Sequence, residues 1–368
     1  MSKKPIDFPI LLTTVILVAI GIVMVFSASF YYATQRWGDS FYFFKRQCLW
    51  AMIGFAGMFL ASRIDYSRLQ KYSKLFLIIS ILLLVAVLLV GQERNHAKRW
   101  LGIGSFTIQP AEVAKFAMIF YIADAVSRRK GKMKYFFKGM FPILAVAGVV
   151  FALILLQPNL STAGSILLLT FVMLFVSGAN LWHMGGLLAA GAAGAVALTM
   201  AEGYRKNRLL AFRDPWGDPL GNGWQLIQSL YSLGSGGLFG LGLARSRQKL
   251  LYLPYPETDF IFAIYGEELG FLGAVVLILL FLILIWRGIR VALTAPDMFG
   301  SMVAAGIISM ITIQVVINIA VVTASMPPTG LPLPFISYGG SSLAMFMTSI
   351  GVLLNISRHI MILNQDLF

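Results

Sequence analysis

Ten apolar runs, each close to the length that crosses a bilayer, dominate this sequence of 368 residues. A transmembrane helix needs roughly 20 mostly apolar residues, and 58% of the chain is hydrophobic against 12% charged. The runs lie at about 8–29, 48–62, 74–91, 110–127, 141–157, 160–178, 182–200, 261–286, 299–324 and 335–357. The sequence therefore predicts an all-α polytopic membrane protein with about ten transmembrane helices, forming one integral membrane domain over residues 1–368.

One long polar segment interrupts this pattern between the seventh and eighth runs, at residues 201–258. Bilayer hydrocarbon supplies neither bases nor charge stabilisation, so any chemistry is expected in or beside such a segment. A second irregular segment, Met326 to Pro334, is too rich in proline for a helix and too apolar for free solvent. We expect it to fold back against the protein and to bring the hydroxyl groups after it, Ser341 among them, to a cavity.

The net charge of +14 permits binding of nucleic acid or of anionic lipid, and the placement of the cations favours lipid. An even number of spans puts both termini on one side, and that side receives fifteen Lys and Arg residues against thirteen on the other. The two most basic short loops, at 63–74 and 128–138, fall on the same side as the termini. The positive-inside rule then places both termini in the cytoplasm and residues 201–258 outside it. We expect no nucleic-acid partner.

The outer face keeps many cations against this bias, in the short loop at 91–109 and in the long one. Two interpretations remain open, a solvated or headgroup-facing surface and a binding site for a polyanion such as a lipid pyrophosphate. Seven cations are candidates for such a site, and one of them, Lys115, lies inside a span. They are Lys98, Arg99, Lys115, Arg205, Arg208, Arg245 and Lys249.

Asp259 lies where the long loop enters the eighth apolar run, after Pro254, Pro256 and Thr258. The sequence places it in the first turn of the helix, where a carboxylate is favoured by the helix dipole and the free amides. The alternative is a general base held at the membrane surface beside the basic loop. On a continuous helix Glu267 and Glu268 do not form one carboxylate face with Asp259, so we interpret them as buried, hydrogen-bonded helix contacts.

Glu112 and Lys115 share one face of the fourth span, three residues apart. Charges inside a span often mark a function, and a self-satisfied structural ion pair is the alternative. The single cysteine and the scattered histidines show no metal-ligand spacing. We predict no protein-bound metal and no certain cofactor, although a divalent cation could assist a departing phosphate group.

Several spaced motifs together resemble the SEDS family of polytopic cell-wall proteins, which includes FtsW, RodA and SpoVE. The resemblance covers nearly the whole chain and favours the FtsW and SpoVE branch. Its motifs are Lys98 to Gly102, Gln109 to Glu112, Gln157-Pro158, Asp214 to Pro219, Gly221 to Gln225, Gln228-Ser229, Gly236-Gly237, Thr258 to Ala263, Glu267 to Gly270 and Ser337 to Ser342.

This resemblance implies a peptidoglycan glycosyltransferase of the bacterial cytoplasmic membrane, facing outward. Such an enzyme polymerises lipid II into a growing β(1,4)-linked glycan strand and releases undecaprenyl pyrophosphate, with a class B penicillin-binding protein as partner. The essential aspartate of the family falls on Asp259, which implies that Asp259 is catalytic. The candidates for binding substrate and pyrophosphate are Glu112, Ser341 and the seven cations named above. Two other readings stay open, a lipid II flippase and a non-enzymatic scaffold for a transpeptidase.

Overall fold

The structure is a computed structural model that describes residues 5–94, 97–103, 106–129 and 131–360, with side chains for all of these except residues 94, 103, 106, 204 and 205. Within these ranges the chain forms twelve α-helices and three short β-strands. The helices are α1 (Phe8–Trp37), α2 (Tyr42–Arg63), α3 (Ser67–Val90), α4 (Pro110–Arg128), α5 (Phe141–Leu155), α6 (Leu160–Val176), α7 (Leu181–Met200), α8 (Gly203–Arg213), α9 (Trp224–Gly236), α10 (Ile261–Thr294), α11 (Met298–Val322) and α12 (Gly340–Arg358).

All ten predicted spans are helices, α1 to α7 and α10 to α12. Seven helical segments in the described ranges are long and apolar enough to cross a membrane, namely α1, α3, α5 with the π-helical turn before it, α7, α10, α11 and α12. Helix α6 is apolar but shorter, and α2 and α4 carry charged residues in their first turns. The prediction of a polytopic helical membrane protein is confirmed, and α2, α4 and α6 complete the bundle by packing against the longer helices.

The interior of the bundle is built around α4, α11 and α12. Helix α4 packs against α3, α6 and α11, and α12 lies along α2. Most of α4 is buried, including Glu112, Lys115 and Asp124. Helix α7 is the opposite case, because Met184 is its one buried residue and its contacts are few. Of the charged residues that sequence reasoning singled out, Glu112 and Lys115 therefore lie on a central helix.

The connection between α3 and α4 forms a small antiparallel sheet, which the all-α prediction did not include. Strands β1 (Gln92–Arg94), β2 (Ala97–Ile103) and β3 (Phe106–Ile108) pair in the order β1-β2-β3. Glu93 lies opposite Lys98, and Leu101 lies opposite Ile108. Because successive side chains of a strand point to opposite faces, Lys98 and Arg99 leave β2 in different directions.

The long polar segment is folded onto the helices. It contains α8, a single turn of 3₁₀-helix at Pro215–Gly217, and α9, which packs against α10. Beyond α9 the chain runs beside a break in α10 at Gly270, whose φ is 67°. The amide of Leu241 donates to the carbonyl of Glu267 over 2.9 Å, and the amide of Phe271 donates to Gly237 over 2.9 Å. The loop thus satisfies the backbone groups that the break exposes.

Glycine is required at this crossing. A Cβ on Gly270 would overlap the amide nitrogen of Gly240, and a Cβ on Gly240 would overlap the carbonyl of Glu268. Both glycines also adopt positive φ, which residues with a Cβ rarely do. The two backbones can therefore approach closely enough to bond only because neither position carries a side chain.

The proline-rich connection between α11 and α12 folds back against the protein, as predicted. Leu331, Leu333, Phe335 and Ile336 in this connection are all buried. The carbonyl of Phe335 lies so close to Gly21 of α1 that a Cβ there would overlap it. This packing holds residues 331–337 beside the segment that carries Asp259.

Candidate active site

Asp259 lies two residues before α10, which begins at Ile261, and not in the first helical turn as the sequence suggested. Its backbone is fixed from α11, because the Asn318 side-chain amide donates to the Asp259 carbonyl over 2.9 Å. The same nitrogen donates to the carbonyl of Leu331 over 2.9 Å. The hydroxyl of Ser337 donates to the carbonyl of Thr258 over 2.6 Å. Asp259 is therefore held rigidly by its backbone, with its carboxylate left available.

The Asp259 carboxylate has no hydrogen-bond donor among the described residues, and it faces two guanidinium groups. Burial raises its pKa to about 6, and the positive charges of Arg208 and Arg99 oppose that rise. Gly330 lies alongside, where a Cβ would stand 3.5 Å from Oδ2. A carboxylate whose pKa lies near neutrality and whose oxygens are unengaged is suited to take up a proton.

Arg99 joins the sheet to the connection between α5 and α6. Its Nε donates to the carbonyl of Gln157 over 3.0 Å, and its guanidinium also donates to the carbonyl of Pro158. Arg208 lies on α8 and is exposed, as is Lys98 on β2. Among the predicted site residues in the described part of the chain, Arg99 and Arg208 are the two whose charges act on Asp259. The three residues come from separate parts of the chain.

Glu112 and Lys115 form a sealed pair at the start of α4. The Lys115 ammonium lies 2.7 Å from Glu112 Oε1, and neither side chain is more than 3% exposed. The Ser342 hydroxyl donates to Glu112 Oε2 over 2.8 Å, and the ammonium lies 5.4 Å from the ring centre of Phe346. Ser341 accepts a bond from the amide of Gln109 over 3.2 Å. This geometry ties α4 to α12 and favours the structural interpretation of the pair.

Lys249 is buried and paired with Glu268 at 2.8 Å, so its charge is already neutralised inside the protein. Its ammonium also donates to the Ser27 hydroxyl over 3.1 Å, and Ser27 in turn donates to Glu268. This pairing does not place Lys249 with Asp259. Arg245 is exposed on the same loop. The backbone of Arg205 belongs to α8, but its side chain lies outside the described part of the structure.

Glu267 and Glu268 are buried and hydrogen-bonded, which confirms the interpretation given to them. Glu267 accepts bonds from the hydroxyls of Ser232 and Ser246 at 3.0 and 2.5 Å and from the amide of Arg247 at 2.9 Å. These contacts fix the loop after α9 to α10. The two glutamates support the backbone near Asp259 without adding a second reactive carboxylate.

Sequence reasoning missed Glu257, two residues before Asp259. Its side chain is 4% exposed, and its Oε2 has no hydrogen-bond partner among the described residues. Burial raises its pKa to about 7, and the negative charge of Asp259 adds to that rise. Its proximity to Asp259 in the sequence was visible, but a glutamate in a polar loop gives no signal of burial.

The described residues contain no group of three or more His, Cys, Asp or Glu side chains placed to hold a metal ion. At this point of the described structure Asp259 and Glu257 are the carboxyl groups with an unengaged oxygen, and two such groups are fewer than the three that such a centre would need.

Among the described residues these features define a class, a polytopic helical membrane protein in which an unpaired carboxylate lies just before a span and is influenced by the charges of two guanidinium groups. Residues 8–361 match the model of the FtsW, RodA and SpoVE family, described as cell cycle proteins. The chain belongs to that family.

Relatives match over nearly their full length. Stage V sporulation protein E of Bacillus subtilis is 49% identical over 360 residues, covering 97% of this chain and 98% of its own. The probable peptidoglycan glycosyltransferase FtsW of a Geobacter species (strain M18) is 44% identical over 355 residues, covering 96% and 97%. The sequence resemblance to this family is thus confirmed.

Solved structures agree with the fold. One chain of a peptidoglycan synthase complex, whose structure concerns the coordination of polymerization and crosslinking, matches with a TM-score of 0.78 and 31% identity, covering 96% of this chain and 98% of that one. The rod shape determining protein RodA of Thermus thermophilus matches with a TM-score of 0.72 and 29% identity, covering 96% and 97%.

Proposed function

We propose that this protein is a peptidoglycan glycosyltransferase that polymerises lipid II, with Asp259 as its general base. The observation that carries the proposal is the unpaired Asp259 carboxylate, whose pKa is raised to about 6 beside Arg99 and Arg208. The family supports it, because FtsW relatives carry the name peptidoglycan glycosyltransferase and the matching complex is a peptidoglycan synthase.

The reaction joins an acceptor sugar hydroxyl to the anomeric carbon of a donor sugar. As the 4-hydroxyl oxygen attacks, Asp259 takes its proton, and the bond from the anomeric carbon to the pyrophosphate oxygen breaks. The electron pair of that bond leaves with undecaprenyl pyrophosphate. The α-linked donor becomes a β(1,4) glycosidic bond, so the configuration inverts. A base with a pKa near neutrality suits this step, because it is ionised at pH 7 and still accepts a proton.

The departing pyrophosphate gains negative charge, which fixed cations stabilise better than water does. Arg208 and Arg99 are the cations whose charge reaches Asp259, and exposed Lys98 and Arg245 extend the positive surface around them. Glu112, Lys115, Lys249, Arg205 and Ser341 remain predicted substrate contacts. A divalent cation at the pyrophosphate also remains a proposal, and no step depends on one.

The proposed location follows from the charge distribution. Both termini lie in the cytoplasm and residues 201–258 lie outside it, since the most basic short loops fall on the side of the termini. The active site then opens to the face where the glycan strand grows. The proposed partner is a class B penicillin-binding protein that crosslinks the product, in keeping with a relative found in a synthase that both polymerises and crosslinks.

The test is glycan synthesis by the purified protein from lipid II in detergent, with and without a cognate transpeptidase. We expect Asp259→Asn to fold and to bind lipid II while losing about 10²–10⁴-fold in rate, the usual contribution of a general base. Asp39→Asn is the matched control, because Asp39 forms an exposed ion pair with Lys45 and should keep the native rate. Polymerisation by Asp259→Asn at the native rate would remove Asp259 as the base. Detergent also excludes flipping as an explanation of the product, since no two compartments exist there.

A further inference from the structure

A cavity of about 270 Å³ lies between the end of α1 and the chain that leads to Asp259. Its lining includes Tyr32 from α1 and, from the loop, Lys249, Leu253, Tyr255, Pro256 and Glu257. Asp259 itself does not line it. The charge of Asp259 acts on the Glu257 carboxyl group two residues away, so a group bound at Glu257 would lie within electrostatic reach of the proposed catalytic carboxylate.

The wall of this cavity is held in place by backbone contacts from several elements. The Tyr338 amide donates to the carbonyl of Glu257 over 2.8 Å. The Trp224 indole donates to the carbonyl of Tyr252 over 2.7 Å. The amide of Leu253 donates to the carbonyl of Gln248 over 2.9 Å. The cavity is therefore preformed, which lowers the cost of binding a ligand in it.

Glu257 is the unsatisfied group of the cavity. It is 4% exposed, and its Oε2 neither donates nor accepts a hydrogen bond among the described residues. A buried carboxyl group in this condition is costly, and a ligand that donates hydrogen bonds or carries positive charge would remove the cost.

The other charges around the cavity do not serve Glu257. Lys249 is neutralised by Glu268 at 2.8 Å. Arg36 is exposed and donates to the Tyr32 hydroxyl over 2.8 Å. Arg46 lies over the Tyr42 ring and is hydrogen-bonded to Tyr338. Asp259 adds a second negative charge nearby, so the cavity is unsuited to the pyrophosphate and suited to a cation.

We propose that this cavity binds a primary ammonium group at the end of an aliphatic chain, with Glu257 as its counter-ion. The apolar Leu253 and Pro256 suit the methylene groups of such a chain, and Glu257 supplies the opposite charge. The inference rests on the proposed function for the source of the ligand. A peptidoglycan precursor carries a peptide with a diamino acid, and a lysine at that position ends in this group.

Direct binding tests the site without requiring activity. The probes are Nα-acetyl-lysine methylamide, which carries the ammonium, and its Nε-acetylated form, which is neutral and of similar shape. We expect the full-length protein in detergent to bind the first at least about tenfold more tightly, as for a charge-assisted bond to a buried partner. Glu257→Gln should abolish the difference. Glu93→Gln, at an exposed strand position, should keep it.

Calorimetry in buffers of different ionisation enthalpy adds a signature that needs no variant. Pairing with an ammonium lowers the pKa of Glu257 from about 7, so binding near pH 7 should release protons from the native protein. If Glu257→Gln fails to fold, two measurements on the native protein still test the proposal. They are this proton release and the difference in affinity between the two probes. Equal affinity for both probes, or a preference that survives in folded Glu257→Gln, would overturn the proposal.

A polymerisation assay then tests whether the cavity binds the peptide of the substrate. With lysine-type lipid II, acetylating the lysine amine should raise KM about tenfold in the native protein and leave kcat unchanged. In Glu257→Gln the two substrates should have equal KM values. If the native protein makes glycan with the same KM for both substrates, the inference about the cavity is overturned and the proposed function is unaffected. If the protein binds the ammonium probe but makes no glycan, the proposed function is overturned and the cation site is supported.

Discussion

Two kinds of charged region stand side by side in this protein. In the interior of the protein, Lys115 with Glu112 and Lys249 with Glu268 are ion pairs at 2.7 and 2.8 Å, here called closed pairs, and hydroxyl groups also donate to both carboxylates. At the end of the long loop, Asp259 and Glu257 have carboxyl oxygens that no described residue satisfies. The closed pairs hold helices together, whereas the open carboxylates retain the capacity to react with or bind something that is not part of the chain.

The comparison is tested most strongly by opening a closed pair. Glu268→Ala leaves the Lys249 ammonium buried without a counter-charge, and we expect it to lower the free energy of unfolding by about 3–5 kcal/mol. Asp259→Asn, which removes a charge that has no partner, should not destabilise the protein. Denaturant unfolding in detergent measures both. Equal losses in the two variants would mean that the regions do not differ in kind.

A double-mutant cycle examines the other closed pair. Lys115→Met and Glu112→Gln should each destabilise the protein, and the double variant should recover part of the loss through a coupling of about 1–3 kcal/mol. Glycan synthesis by the double variant is the second measurement. A stable double variant without activity would assign the pair a substrate role in addition to its structural one.

Arg208 should lower the pKa of Asp259 through its charge alone. Arg208→Gln removes a cation that lowers the Asp259 pKa, so that pKa should rise above about 6. Asp259 works as a base only when ionised, so the acid limb of the kcat/KM profile should move to higher pH. At neutral pH we expect about a tenfold lower rate, near 1.4 kcal/mol in the barrier. An unmoved acid limb would show that Arg208 does not act on Asp259.

Arg99 provides the contrast, because it also braces the carbonyls of Gln157 and Pro158. Arg99→Gln should move the acid limb in the same direction and, in addition, lower the unfolding free energy by about 1–3 kcal/mol through the loss of charged hydrogen bonds. Thermal unfolding of the two arginine variants separates these effects. Equal stability would contradict the bracing role.

The remaining prediction concerns the pH dependence of stability. The folded-state pKa values of Asp259 and Glu257, about 6 and about 7, exceed their ordinary values of 3.8 and 4.5. The folded protein therefore binds more protons than the unfolded chain between about pH 4 and 7, and stability from these groups falls as pH rises through that window. One pKa unit corresponds to about 1.4 kcal/mol, so the two shifts together set an upper limit of several kcal/mol on this loss. The variant carrying Asp259→Asn and Glu257→Gln should be flatter across the same range.

The ten membrane-spanning helices were predictable because the length and hydropathy of each apolar run can be read directly from the sequence. The sheet at Gln92–Ile108 was not, since its strands are short and depend on each other for pairing. Helices α8 and α9 lie in a polar segment that carries no transmembrane signal. They are too short for a span, and the search for spans therefore did not assign them, although both helices are amphipathic.

At the site, the sequence singled out Asp259 and a pool of seven cations but could not choose among them. Arg99 and Arg208 lie more than one hundred residues apart in the chain, and only the fold sets both beside Asp259. The same limit explains Glu257. Its burial depends on the amide of Tyr338, some eighty residues later, reaching its carbonyl.

The Asn318 side chain also restricts which residue can occupy its position. One nitrogen there supplies two hydrogens, to the carbonyls of Asp259 and Leu331. A hydroxyl group has a single hydrogen to give, a carboxylate has none, and lysine or arginine would bring an unbalanced charge into a buried place. By this count of protons, a short carboxamide meets the requirement, and through it α11 anchors both the backbone that carries the reactive carboxylate and the proline-rich connection.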